Sequence, residues 1–145
     1  MNVYITDGTE NCFYTAVFNA CTDKDCIVTS SCAVQLPLGA NVVAVTADGE
    51  KCTRVKKKLN EYAPHALKDI PLLLRRGCAN KEQTALEYIR LIMEKKAPVK
   101  DMLSHPAVIA ATEEMRKVTL EAHRFTGFLR FMEGSGGIFY APFEP

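Results

Sequence analysis

Residues 106–145 constrain this chain more than any other stretch. Val108, Ala111, Met115, Val118, Ala122 and Phe125 recur at alternating three- and four-residue steps, which lines one face of a helix with apolar groups. Gly127 follows the last periodic residue, where a glycine can take the left-handed conformation that closes a helix. Beyond it, residues 128–132 and 138–143 are short apolar, aromatic-rich runs separated by Glu133, Gly134, Ser135, Gly136 and Gly137, the composition of a hairpin turn. The spacing therefore predicts a long helix that feeds directly into two paired strands.

Few polar residues occupy this junction. His123 and Arg124 fall in the expected last helical turn, where the helix dipole favours positive charge. Arg130 stands between Leu129 and Phe131 in the expected strand, and Glu121 is near enough in sequence to pair with any of the three cations. An unpaired buried charge is very costly, so Arg130 must reach solvent or a partner. Two readings stay open: an Arg130–Glu121 ion pair with His123 as a helix cap, or a recognition cluster.

Glu121, Ala122, His123, Arg124, Phe125, Thr126, Gly127, Phe128, Leu129, Arg130 and Phe131, followed by Tyr140, Ala141 and Pro145, resemble the signature region of a bacterial family of DNA metabolism proteins. Its members are uncharacterised partners of a radical-SAM protein of DNA modification or repair, and some relatives are joined to a domain similar to uracil-DNA glycosylases. Tyr4, Asp7, Gly8 and residues 13–18 resemble the start of that family, a strand ending in Asp-Gly and then a short helix. Family members continue past the position of Pro145, so the resemblance implies that this chain is the amino-terminal portion of a longer protein.

The 145 residues, 48% of them hydrophobic, suffice for one domain with a sizeable core. A net charge of +1 gives no global attraction to nucleic acid or acidic membranes, so such contacts need a local patch. No apolar run approaches the length of a membrane span and no secretory signal opens the sequence, which makes the cytoplasm the expected location. In that reducing compartment Cys12, Cys21, Cys26, Cys32, Cys52 and Cys78 read as free thiols. No cysteine pair has the two-residue spacing of a zinc site and no radical-SAM cluster motif is present, so neither metal nor cofactor is expected.

Along the chain, residues 3–6 read as a strand ending at Asp7-Gly8, and residues 9–20 as a helix capped by Thr9 or Asn11. Residues 23–39, with a small apolar piece at Ile27 and Val28, read as loop with at most a brief helix or strand in it. Residues 41–46 form a β-branched run ending at Asp48-Gly49, hence a second strand. Helices follow at 54–62 and after Pro64, with a break or kink expected at Pro71. Asn80 with Gln83 reads as a capping box for a helix over 81–96.

Residues 51–58, KCTRVKKK, carry Lys51, Arg54, Lys56, Lys57 and Lys58 with no acid among them. They read either as the solvated face of a helix that buries Val55 and Leu59 or as a phosphate-contacting patch. Asp7 is the one carboxylate outside the junction that joins the candidate cluster of Glu121, His123, Arg124 and Arg130, although Asp-Gly is also a common turn.

Strands and helices do not alternate as repeated βαβ units, so the expected fold is a single α+β domain, residues 1–145, with a small, mostly antiparallel sheet against several helices. The resemblance implies an accessory module of DNA repair or modification that binds DNA or docks onto a radical-SAM protein. The alternative is an enzyme domain related in task to base-excision glycosylases, with Asp7 or His123 activating water. Substrate and oligomeric state are not legible.

Overall fold

The computed structural model describes residues 1–128 and 131–142. The chain runs β1 (Asn2–Ile5), α1 (Glu10–Ala20), β2 (Cys26–Thr29), β3 (Asn41–Ala44), α2 (Gly49–Tyr62), α3 (Ala66–Leu74), α4 (Lys81–Lys95), α5 (Pro106–Phe128), β4 (Met132–Glu133) and β5 (Phe139–Tyr140).

The main sheet overturns the antiparallel expectation. Its strand order is β2-β1-β3, and β1 pairs in parallel with both neighbours, Val3 opposite Ile27 on one side and Val42 on the other. For β2 the cause is α1, since a helix between two strands returns the chain to its starting end and the next strand enters in the same direction; residues 30–40 then carry the chain back, without a helix, to bring β3 in parallel on the other side of β1. The Asp-Gly pairs close this unit without making hairpins. Residues 26–29 looked like loop because β2 is only four residues long and lies between an acidic turn and a polar, proline-containing stretch.

One face of the sheet builds the core. Tyr4, Val28 and Val45 are buried with Phe13, Tyr14 and Val17 of α1. Opposite them, Val3 and Thr29 are buried, but Ile5 and Val42 are exposed. The helices start where capping residues stand. Asp7 Oδ1 accepts from the Thr9 N–H at 2.8 Å and its hydroxyl at 2.6 Å, and the Thr9 side chain accepts from Cys12 N–H. Asp48 Oδ1 accepts from Glu50 N–H at 3.0 Å and from Lys51 N–H.

Two other local expectations change. α3 passes through Pro71 without interruption, its buried Ala66, Ile70 and Leu73 holding it against the core. The capping box at α4 does not form. Gln83 instead accepts from Val28 N–H at 3.1 Å, satisfying a backbone donor on the open edge of β2.

α5 is half core and half surface. Ala107, Val108 and Ala111 are buried, whereas Leu120, Ala122 and Phe125 are exposed, so the predicted stripe is covered only in its first turns. The helix also continues through Gly127 to Phe128. The expected hairpin is present in shorter form: Met132 faces Tyr140, Glu133 faces Phe139, and Gly136 and Gly137 turn the chain at positive φ. This two-residue ladder is the antiparallel pairing among the described residues.

Candidate functional site

The basic segment forms most of α2. Val55 and Leu59 turn inward, as helical spacing requires, and the cations lie across the surface. Lys51 donates to Asn19 at 3.1 Å, Lys56 pairs with Glu10 at 3.3 Å, and Lys58 pairs with Glu61 at 3.1 Å. The bond to Glu61 holds the Lys58 ammonium above the ordinary lysine range. Among the described residues Arg54 and Lys57 have no carboxylate partner. Arg54 is not loose, however: its guanidinium carbon sits 5.3 Å from the centre of the Phe18 ring, with Lys51 also over that ring at 5.6 Å.

These cations edge a concavity. Arg54, Lys57 and Lys58 line a groove of about 490 Å³ together with Phe18, Val55 and Met93. A second groove of about 570 Å³, bounded by Val17, Ile89, Arg90 and Asp23, meets the first at Cys21 and Met93. Both fall within the ~300–1,000 Å³ typical of ligand sites. Arg90 supports the junction by donating through Nη2 to the carbonyls of Ala20 and Asp23 and to Cys26 Sγ, which ties the end of α1 to α4.

The other candidates separate. Asp7 lies on the β1–α1 turn, where its bonds to the Thr9 hydroxyl and N–H hold its carboxyl below the usual carboxylate range. Glu121 lies on the distal half of α5 and accepts from Arg76 Nη1 at 3.2 Å. His123 and Arg124 are exposed on the same half. Arg130 lies outside the described residues, and the anticipated Arg130–Glu121 pair with it.

Two arrangements escaped sequence reasoning. Glu82, only 2% exposed, accepts a hydrogen bond from the Ser30 hydroxyl at the carboxyl end of β2. Nothing in sequence distinguishes it from an ordinary acid in a first helical turn. His65 Nε2 lies 3.3 Å from the hydroxyl of buried Tyr88 and 3.7 Å from Asp69 Oδ2. The i,i+4 spacing of His65 and Asp69 was the available signal for this cluster.

The described cysteines are unpaired, Cys12, Cys26 and Cys52 buried and Cys21 and Cys32 exposed. Burial raises the Cys12 and Cys26 thiols, keeping them protonated.

Residues 79–145, a little under half the chain, match the family model of a domain of unknown function designated DUF4130. That segment holds α4, α5 and the hairpin, so it includes the carboxyl-terminal part of the sequence resemblance but neither its opening at residues 4–18 nor the basic helix. No curated protein and no solved structure matches the chain. No helix among the described residues is long and apolar enough to cross a membrane.

Proposed function

We propose that this chain is a nucleic-acid-binding accessory module of DNA repair or modification, working in the cytoplasm alongside a radical-SAM partner. The observation that carries the binding role is the pair Arg54 and Lys57, which have no carboxylate partner among the described residues and line an apolar-floored groove beside the Lys58–Glu61 pair. Fixed cations beside a concave surface suit a polyanion whose phosphates release counterions on contact. The DNA context rests on the sequence resemblance. A glycosylase-like activity is the weaker reading, because Asp7, the carboxylate nominated to activate water, already accepts from both donors of Thr9.

The exposed hairpin favours docking of a protein partner at a second place. Phe131 and Ile138 are 67% and 68% exposed, next to exposed Phe139 and Tyr140, and aromatic-rich apolar surface of this kind is typical of interface cores.

The test is DNA binding measured across a salt series for the intact chain and for R54E/K57E, with circular dichroism confirming that both are folded. Salt-sensitive binding that disappears in the double variant supports the proposal. Binding unchanged by charge reversal removes the α2 face from the reading, and absence of binding leaves only the protein-docking role.

A further inference from the structure

The two grooves meeting at Cys21 and Met93 form one trough across the end of α1, with α2 on one wall and α4 on the other. We propose that this trough takes single-stranded nucleic acid, with unpaired bases on its floor and phosphates along the α2 rim. This inference deepens the nucleic-acid reading and rests on it.

Charge and shape both select the ligand. The rim cations Arg54, Lys57 and Lys58 stand on the α2 wall, with Glu61 paired to Lys58 among them, whereas Phe18, Val55 and Met93 provide an apolar base between the walls. A strand with exposed bases matches that cross-section, one edge anionic and the other flat and apolar. A duplex does not, because its base faces are already stacked and only phosphates reach a concave wall. The second lobe continues the apolar floor through Val17, Leu86 and Ile89, and sets Asp23 and Glu94 beside it together with Lys24 and Arg90. The two carboxylates there can accept hydrogen bonds from exocyclic amino groups of bases.

Arg54 gives the trough its stacking element. Held over Phe18, the guanidinium plane is restrained before the ligand arrives, and a base stacking on it completes a layered contact. Less side-chain freedom is then lost on binding than with a loose arginine.

The test compares a short oligothymidylate with a duplex of equal length, by fluorescence anisotropy at fixed salt, for the intact chain, R54E/K57E and M93E. Melting curves confirm that each variant is folded. A second measurement follows alkylation of Cys21 at mildly alkaline pH by peptide mass mapping, with exposed Cys32 as the internal reference. The expected result is preference for the single strand by about tenfold or more, loss of that preference in M93E, and slower alkylation of Cys21 but not Cys32 when oligothymidylate is bound. Equal affinity for both forms, no protection of Cys21, and loss only in R54E/K57E overturn the trough and leave the nucleic-acid reading intact. Failure to bind either form overturns both.

Discussion

Arg76 Nε donates to Glu114 Oε2 at 2.6 Å, joining the end of α3 to the middle of α5. Lys117 reaches the other oxygen of the same carboxylate at 2.7 Å, and Arg76 extends through Nη1 to Glu121. The distal half of α5, where Leu120 is exposed, is thus tied to the end of α3 by polar contacts. The hydrogen bond from Lys117, joined by Arg76, depresses the Glu114 carboxyl and outweighs the opposing effect of partial burial. A depressed carboxylate contributes stability above its unfolded value, and that contribution disappears as pH falls through the folded one. Below the ordinary carboxylate range the stability difference between the intact chain and E114Q should therefore vanish, while near neutrality the intact chain should be the more stable. Hydrogen exchange over residues 114–128 at both pH values checks this, and R76Q should raise exchange over the same residues.

Ser30 and Glu82 form a buried pair of a different kind. With Glu82 almost fully enclosed, the Ser30 hydroxyl is the donor recorded to its carboxylate. Ser30→Ala leaves that oxygen without a donor and should cost about 1–3 kcal/mol in urea unfolding. Glu82→Gln should cost less, since the amide keeps an acceptor for Ser30 and removes a buried charge. The opposite ranking would mean that Glu82 has a further cationic partner.

Tyr88 provides the alkaline counterpart. Burial, then neighbouring Asp69, pushes its phenol up to about 12 from an ordinary value of 10.0. The raised folded value means that its contribution to stability is complete below pH 10, where neither state ionises, and is lost as pH rises toward 12. Tyr88→Phe should accordingly flatten the fall in stability across that window. It should also release His65 from its 3.3 Å contact. Tyrosinate absorbance titrated in parallel with thermal melts checks both.

The helices were legible where one residue's spacing decided its face. Val55 and Leu59 turn inward on α2, and Ile89 and Ile92 do so on α4, which ends at Lys95 with Lys96 as its left-handed cap, within one residue of the expected end. The parallel sheet was not legible, because Val3 finds its partners Ile27 and Val42 far along the chain and a strand as short as Cys26–Thr29 carries too little periodicity. Gly127 was misread for a related reason: a glycine permits a helix end without requiring one, and α5 continues to Phe128. Within the candidate cluster, Glu121 accepts from Arg76, 45 residues away in sequence, a partner that no local spacing announces. For the basic segment, helical spacing gave the inward turn of Val55 and Leu59, and the fold added what spacing could not give, a groove beside it.

That groove allows the cations of α2 to be ranked. Lys56 and Lys58 are compensated by Glu10 and Glu61, while Arg54 and Lys57 are not. Each lysine or arginine that neutralises a phosphate adds about one unit to the slope of log affinity against log salt. Arg54→Ala and Lys57→Ala should therefore each lower that slope by about one, whereas Lys56→Ala should change it little, because the freed Glu10 offsets nothing the ligand had used. Lys56→Ala should instead act on stability, since its ammonium also sits 5.1 Å from the Tyr14 ring, and its loss should cost about 0.5–1 kcal/mol, the scale of an exposed cation–π contact. Anisotropy titrations at several salt concentrations, paired with urea unfolding of the same variants, separate the two classes. Equal slopes for all four proteins would place the phosphate contacts away from α2.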